Sequence, residues 1–224
     1  MFSGTKAQTY LQACEWQGDV FRRVFHDRVK IWPVGIDTDA VAPSPSDVKT
    51  FDFLVYDKRR WPNKEPARGI LEPVLARLER KKLSWRVLRY GQYPKPGKKG
   101  ESVLHEMARQ AKAMLFLCEN ETQGIAYNEV LSLDVPILAW DQGFWQDPVR
   151  EKYGLKKVPA TSVPYWDERC GLTFKGPEEF ESTLEKFLQL LSRHQFQPRQ
   201  YVLENLGLKK KTLEYLALLE SGGS

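Results

Sequence analysis

Two glutamates with seven residues between them are the side chains of this sequence whose types and spacing best suit chemistry. Glu121 and Glu129 flank Gly124, and the apolar run of residues 113–118, typical of a buried strand, leads directly into them. A glycine-bearing loop between such a strand and a helix favours anion binding, because the first-turn N–H groups are unpaired and the helix dipole attracts negative charge. Carboxylates repel a phosphate, so these glutamates are better placed to accept hydrogen bonds from hydroxyl groups on either side of it. A ligand with a central diphosphate and a hydroxyl-bearing ring at each end meets these requirements, and nucleotide-sugars are such ligands.

The elements that must position these residues alternate along the chain, with short β-branched or aromatic runs between amphipathic segments of helix length. The predicted strands are residues 29–34, 51–56, 85–90, 113–118, 135–140 and 171–174. The predicted helices are residues 67–82, 101–111, 125–133 and 177–193. This alternation predicts an α/β fold with a single Rossmann-like, doubly wound parallel sheet, followed by a C-terminal helical tail. The predicted division is a residual N-terminal or linker helical segment (1–28), a Rossmann-like domain (29–195) and the helical tail (196–224).

Polar and glycine-bearing segments follow four of the predicted strands. They are residues 57–61, 91–94, 119–129 and 141–145. Ligands of open parallel sheets bind outside the carboxyl ends of the strands, so four such loops on one edge predict a cleft. Loops are often polar without any ligand, which is the alternative explanation. We place Asp141, the first residue of the fourth loop, among the candidate substrate-binding residues.

Composition limits the class of protein. Hydrophobic residues make up 42% of the 224 residues and charged residues 28%, which provides for a core and argues against disorder. Cys14, Cys118 and Cys170 are widely spaced and include no Cys-x-x-Cys pair, so they indicate free thiols in a reducing compartment. The sequence shows no secretory signal, and its longest apolar run near the two glutamates is too short to span a bilayer. We therefore expect a cytoplasmic protein.

Basic residues are clustered on a chain of net charge +5. The clusters are Lys58-Arg59-Arg60, Arg80-Lys81-Lys82, Lys95 with Lys98-Lys99, and Lys209-Lys210-Lys211. They indicate either solvated loops and helix ends, or a phosphate-rich partner or anionic membrane surface. No recognisable nucleic-acid motif accompanies them, so we expect no nucleic-acid partner and leave peripheral membrane contact open.

Other catalytic patterns are incomplete. His105-Glu106 begins like a zinc-protease motif, but Arg109 stands where the second histidine ligand belongs. The sequence contains no Gly-x-Ser-x-Gly elbow, and no Gly-x-Gly-x-x-Gly follows a predicted strand. These patterns argue against a zinc protease, a serine hydrolase and a dinucleotide-dependent dehydrogenase.

The pattern around the two glutamates resembles that of the retaining glycosyltransferases of GT-B fold, the large group-one family of bacterial sugar transferases. That family carries a Glu-x7-Glu motif with glycine at the third place after the first Glu, then a small helix and a Val-Pro-Ile-like strand. The same order here is Glu121, Gly124 and Glu129, followed by Val135-Pro136-Ile137.

Further segments extend the resemblance over residues 29–219. The family carries an Arg and, five residues later, a Lys after the first strand of its nucleotide-binding domain, and Arg59 and Lys64 have this spacing. Residues 33–37, Pro-Val-Gly-Ile-Asp, resemble the segment that opens that domain, and residues 196–205 resemble its closing helices. The resemblance thus implies that this chain is the C-terminal half of a GT-B fold.

The resemblance also implies roles at the site. Arg59 and Lys64 are expected to hold the donor diphosphate, for which Arg offers a planar fork and Lys a point charge. Glu129 is expected to accept hydrogen bonds from the ribose, and Glu121 from the donor sugar. The candidate catalytic residues are therefore Glu121, Arg59 and Lys64.

The remaining candidate residues bind through their backbone or by their position. Gly124, Ile125 and Ala126 are expected to offer backbone N–H groups to the diphosphate at the start of the helix. Gly91 and Tyr93 are placed near the base by position only, and a simple strand-to-helix turn explains them equally well.

The implied reaction transfers a sugar from a UDP- or GDP-sugar to a hydroxyl of an acceptor sugar, a lipid-linked sugar or a protein, with retention at the anomeric carbon. The departing diphosphate is expected to take the proton of the acceptor, so the resemblance implies neither metal nor cofactor. GT-B enzymes have two Rossmann-like domains, which implies that an N-terminal, acceptor-binding half is supplied by another chain or has been removed. Two alternatives stay open: a non-catalytic nucleotide-sugar-binding or interaction module of GT-B descent, and a GT-B-like epimerase or phosphorylase.

Overall fold

The computed structural model describes residues 8–92, 102–147 and 157–221. Within these residues the strands are β1 (Tyr10–Gln12), β2 (Val29–Ile31), β3 (Phe51–Asp57), β4 (Trp85–Arg89), β5 (Ala111–Leu117), β6 (Ile137–Trp140) and β7 (Gly171–Phe174). The α-helices are α1 (Glu15–Phe25), α2 (Leu71–Arg80), α3 (Val103–Gln110), α4 (Ile125–Ser132), α5 (Pro177–Ser192), α6 (Pro198–Asn205) and α7 (Leu208–Ser221). Strands β3 to β7 form one parallel sheet in the order β4-β3-β5-β6-β7.

Strand β5 lies at the centre of this sheet, between β3 and β6. Lys112 is its one polar and exposed residue. All of its remaining residues are apolar and buried, as expected for a parallel strand covered on both faces. Strand β3 pairs along it with Phe53 opposite Ala113. The predicted parallel α/β sheet is confirmed.

Helices cover both faces of the sheet. Along β3, Phe53 and Val55 belong to the core under α2 and α5, whereas Leu54 and Tyr56 belong to the core under α3, α4 and α6. Each fully buried Phe, Leu or Val side chain stabilises the fold by about 1.5–3 kcal/mol. The predicted doubly wound arrangement therefore follows from apolar residues on both sides of the central strands.

Strands β1 and β2 form a separate, two-stranded parallel sheet, with α1 between them along the chain. The predicted strand at residues 29–34 thus lies outside the main sheet. It ends at Ile31, shortly before Pro33, which has no N–H group for a ladder. Residues 10–12 form a strand inside a segment that the sequence predicts to be helical. The sequence does not reveal this strand, because three residues are too few to leave a periodic pattern.

The C-terminal helices contact the residues that follow β2. Ile36 forms a parallel bridge with Gly207, between α6 and α7. Trp32, directly after β2, donates its indole N–H to the Lys211 carbonyl at 2.8 Å, and its ring centroid lies 5.0 Å from that of Tyr215 on α7. The predicted helical tail is confirmed. Among the helices of the described residues, none combines the length and apolarity needed to cross a bilayer.

Two helix boundaries differ from the sequence prediction. The helix predicted at residues 67–82 is divided into a 3-10 turn (Ala67–Gly69) and α2, and the glycine at the division disfavours a continuous helix. Helix α3 begins after Ser102, whose hydroxyl accepts the Leu104 N–H at 3.2 Å and so caps the first turn.

Candidate functional site

The loops that follow β3, β4, β5 and β6 lie on one edge of the sheet, because these strands run parallel. Gly91 follows β4 with φ +77° and open space around it, which is a turn conformation that glycine adopts without strain. Residues 93–101 and 148–156 lie outside the described residues, and with them Tyr93. The described parts of the four loops bring candidate residues from distant positions in the sequence to this edge.

Gly124 shapes the turn between β5 and α4. Its backbone is left-handed (φ +66°, ψ 27°), a conformation that costs most other residues about 1–2 kcal/mol. A Cβ at this position would lie 2.0 Å from the Tyr127 ring, which is fully buried. Both the backbone and the available space therefore require glycine here.

Helix α4 directs its first N–H groups to this edge of the sheet. The first bond within the helix is donated by Asn128 to the Gly124 carbonyl at 3.0 Å. The N–H groups of Ile125, Ala126 and Tyr127 therefore have no acceptor inside the helix. Two of these groups, those of Ile125 and Ala126, belong to the predicted diphosphate cradle of Gly124, Ile125 and Ala126, and Ile125 is exposed.

Glu121 is buried and held through both its side chain and its backbone. Its Oε1 lies 2.5 Å from Lys58 Nζ and 3.5 Å from Arg60 Nη2. Its backbone N–H donates to the Thr161 carbonyl at 3.0 Å, and its carbonyl accepts the Trp16 indole N–H at 2.7 Å. Glu121 thus joins the loop after β3, the loop before β7 and the N-terminal helix α1.

Glu129 stands in the second turn of α4 and is partly exposed. Its Oε2 lies 3.0 Å from His105 Nε2 of α3. The sequence draws attention to His105 only as part of an incomplete zinc motif, and no pattern links it to Glu129. The contact arises because α3 and α4 pack on the same face of the sheet.

The two predicted phosphate ligands have different surroundings. Arg59 forms two hydrogen bonds with the Asp57 carboxylate, at 2.7 and 2.8 Å, and donates to the Ala67 carbonyl at 2.7 Å. Its side chain is only 7% exposed. Lys64 is exposed, in the turn that follows. These contacts of Arg59 are all structural.

Asp141 organises the loop after β6. Its Oδ2 accepts from the Thr161 hydroxyl at 2.6 Å, and its Oδ1 accepts from the Ser162 N–H at 3.2 Å and the Gly143 N–H at 3.4 Å. These bonds tie the loop after β6 to the segment that also receives the Glu121 N–H. The carboxylate therefore has a structural task at the same edge.

The sequence indicated Lys58 and Arg60 only as members of a basic cluster, and Glu119 only as the first residue of a polar loop, with no individual role for any of the three. Lys58 and Arg60 are two residues apart directly after a strand, and this spacing places side chains on one side of an extended chain, which is a usable signal. Glu119 is fully buried and accepts the backbone N–H groups of Arg60 at 2.9 Å and Trp61 at 3.0 Å. In a segment with several glutamates, no local pattern distinguishes it.

The nearby thiols are poor nucleophiles. Burial raises the pKa of the Cys118 thiol well above its usual range, and it raises the pKa of the Cys14 thiol to about 11. Within the described ranges, no three His, Cys, Asp or Glu side chains are grouped so that they could hold a metal ion. The chemistry on this edge is therefore that of carboxylates, cations and backbone N–H groups.

No protein-family model matches the chain, and no curated protein matches it by sequence. Its fold is similar to that of solved glycosyltransferases. AviGT4, involved in avilamycin A biosynthesis, is 13% identical with a TM-score of 0.58, over 96% of this chain and 64% of that chain. TarM is 13% identical with a TM-score of 0.63, over 98% of this chain and 44% of that chain.

A third similar structure is the pneumococcal O-GlcNAc transferase GtfA in complex with UDP and GlcNAc. It is 14% identical with a TM-score of 0.59, over 97% of this chain and 46% of that chain. At these identities the likeness establishes the α/β fold. The chain spans between 44% and 64% of the length of these three structures.

Proposed function

We propose that this chain is the donor-binding part of a retaining glycosyltransferase of the Glu-x7-Glu, GT-B type. The observation that carries the proposal is the start of α4. Three backbone N–H groups without helical acceptors stand between Glu121 and Glu129, at the sheet edge where Lys58 and Arg60 also lie. Cations and helix N–H groups suit a diphosphate, and the two carboxylates suit the hydroxyl groups of rings on either side.

In this proposal the donor is a nucleotide-diphosphate sugar, with a UDP or GDP leaving group. Its diphosphate lies against the N–H groups of Gly124, Ile125 and Ala126. Lys64 reaches it from the exposed turn after β3, and Arg59 joins it by exchanging part of its contact with Asp57. Charge-assisted hydrogen bonds of this kind contribute about 1.5–3 kcal/mol each.

The carboxylates and the outer loops hold the two rings of the donor. Glu129 accepts hydrogen bonds from the ribose, and Glu121 accepts them from the transferred sugar. Gly91 and Tyr93 line the base, and Asp141 holds the loop that borders the sugar.

The proposed reaction forms a bond between the anomeric carbon of the sugar and the acceptor oxygen as the bond to the diphosphate oxygen breaks. The acceptor proton passes to the departing diphosphate, so the step balances without a further acid or base. The cationic residues of the site stabilise the charge that develops on that diphosphate. Neither a metal nor a cofactor takes part in this proposal.

The acceptor is an acceptor sugar, a lipid-linked sugar or a protein, and we propose that an N-terminal GT-B half binds it. The length of the chain relative to the similar structures supports this division. We place the protein in the cytoplasm, with peripheral contact to an anionic membrane surface through the exposed Lys209 and Lys210.

Titration of UDP and GDP into the pure chain by calorimetry tests the donor site. We expect one of them to bind, and we expect Glu129→Ala and Arg59→Ala each to weaken it about 10- to 100-fold, the value of one charge-assisted hydrogen bond. Glu185→Ala is the matched control, since it removes an exposed carboxylate on α5 that pairs with Lys81 at 2.7 Å, away from the site. Failure of the unmodified chain to bind either nucleotide would rule out the proposal.

A second candidate is a non-catalytic nucleotide-sugar-binding module. It is favoured by the internal pairing of the site charges, since Lys58 contacts Glu121 and Arg59 is bonded to Asp57. Both candidates predict nucleotide binding. Only the enzyme predicts sugar release or transfer when a GT-B N-terminal domain is supplied with the donor, so turnover assays with such a domain distinguish them.

A further inference from the structure

The buried carboxylate of Glu119 spans the gap between two neighbouring loops. Glu119 follows β5, and its two oxygens accept the backbone N–H groups of Arg60 and Trp61, which follow β3. The distances, 2.9 and 3.0 Å, are those of well-formed hydrogen bonds. The residue is fully buried, so water does not replace these donors.

Such a carboxylate is costly to bury, and its partners here are backbone groups. An ionised side chain without hydrogen bonds in the interior loses its hydration, which strongly disfavours burial. Two N–H donors on successive residues offset part of that loss and require both carboxylate oxygens to act as acceptors. A neutral amide has only one acceptor oxygen and cannot reproduce the arrangement.

The bonds determine the course of the chain between Lys58 and Trp61. Lys58 continues the sheet ladder, with its N–H donated to the Leu117 carbonyl at 2.8 Å. Beyond it, Glu119 draws the next residues toward the loop after β5. In this course of the chain Lys58 and Arg60 both direct their cationic groups to Glu121, at 2.5 and 3.5 Å.

We propose that Glu119 is a positioning residue that holds the cationic loop of residues 58–61 in place for the phosphates of the ligand. It does so through the backbone, without contacting the ligand itself. The inference rests on the proposed donor site and assigns a role that neither the two motif glutamates nor the Arg59–Lys64 pair supplies. The region of the ligand that it serves is the diphosphate and not the nucleoside.

The test compares ligands with and without the diphosphate. Calorimetry or competition measures the dissociation constants of UDP and GDP, and of uridine and guanosine, for the unmodified chain and for Glu119→Gln. We expect the dissociation constant of the bound nucleoside diphosphate to rise at least about tenfold, since displaced cations lose charge-assisted bonds. The dissociation constant of the matching nucleoside is expected to stay within about twofold.

Asp52→Asn is the matched control. Asp52 also joins two segments through a backbone bond, accepting the Ser84 N–H at 2.8 Å and pairing with Lys112 at 2.8 Å, but at the amino end of β3. Its loss is expected to affect stability and to leave both dissociation constants unchanged. Unchanged diphosphate binding in Glu119→Gln, or an equal loss of diphosphate and nucleoside binding, would overturn the positioning role.

Amide hydrogen exchange keeps the proposal testable if Glu119→Gln does not fold. In the unmodified chain the N–H groups of Arg60 and Trp61 are expected to exchange slowly, although they belong to a loop. Exchange at the rate of an unprotected loop would overturn the proposal without any variant. An unmodified chain that binds neither nucleotide would instead overturn the proposed function, which separates the two failures.

Discussion

Gly124 is the single residue on which the geometry of the site depends most directly. Gly124→Ala places a Cβ 2.0 Å from the buried Tyr127 ring and forces alanine into a left-handed backbone with φ +66°. We expect the free energy of unfolding to fall by about 2–5 kcal/mol, the sum of backbone strain and overpacking. Urea unfolding of the purified variant measures the change.

Gly143→Ala is the control for backbone strain alone. Gly143 has φ +87°, but no atom lies within 4 Å of an added Cβ. Its substitution is therefore expected to cost about 1–2 kcal/mol, the strain without the clash. Equal losses for the two variants would contradict the close fit of Gly124 against Tyr127.

Individual residues were predictable where the chemistry is local. The spacing of Glu121, Gly124 and Glu129 identified the turn and the helix start, because strand, glycine and helix are adjacent in sequence. The bond between Arg59 and Asp57 was not predictable, since it depends on the burial of Asp57 at the end of β3. A buried carboxylate needs a partner, and a sequence pattern does not show which carboxylates are buried.

At the scale of elements, the sequence predicted the five strands and the main helices of the described sheet, since each carries a strong periodic pattern. Strand β1 was missed because it is short and depends for its stability on pairing with β2 and packing against α1. The contact of α3 with α4 through His105 and Glu129 was also missed, because it forms only when both helices pack on the sheet. Local sequence patterns therefore predict single elements but not which elements contact one another.

The connection between the segment before β7 and α6 is an ion-pair network. Arg169 pairs with Asp167 at 2.7 Å and with Glu204 of α6 at 2.5 Å. The hydrogen bonds from Arg169 lower the pKa of Asp167 and of Glu204 below their ordinary values. A lowered pKa in the folded state means that this stabilisation is present at neutral pH and is lost as the pH falls through the folded-state values.

Arg169→Ala is therefore expected to reduce the free energy of unfolding more at pH 7 than at pH 3. At pH 3, below the ordinary pKa of both carboxyl groups, the unfolded chain is largely protonated at Asp167 and Glu204, so part of the stabilisation from the ion pairs is lost. The contribution of the guanidinium 5.3 Å over the Tyr201 ring remains at both pH values. Urea unfolding at both pH values measures the difference, with the exposed Arg193→Ala as the control. A penalty that does not depend on pH would show that the network contributes through packing alone.

At the scale of the whole molecule, apolar surface remains beside the small sheet of β1 and β2. In the described part of the chain this sheet consists of two strands. Parallel sheets are usually covered on both faces. Helix α7, whose Tyr215 ring contacts Trp32 directly after β2, exposes Leu213, Leu216 and Leu219. The same region lies near the site, because Trp16 of α1 donates to the Glu121 carbonyl. If the chain is the donor-binding part proposed above, we expect the N-terminal half to cover this surface.

Combined substitution of Leu213→Gln and Leu216→Gln tests whether this surface is available for a partner. Both side chains are about half exposed, at 59% and 48%, so we expect the free energy of unfolding to change by less than about 1 kcal/mol. Binding of a hydrophobic dye and any self-association in light scattering are expected to fall, because apolar area on one helix face is removed. Val48→Gln, at an exposed apolar residue of an isolated loop, is expected to leave both readouts unchanged. A large loss of stability in the α7 variant would instead mean that these leucines belong to the core of this chain, and the partner-facing surface would have to lie on β1 and α1.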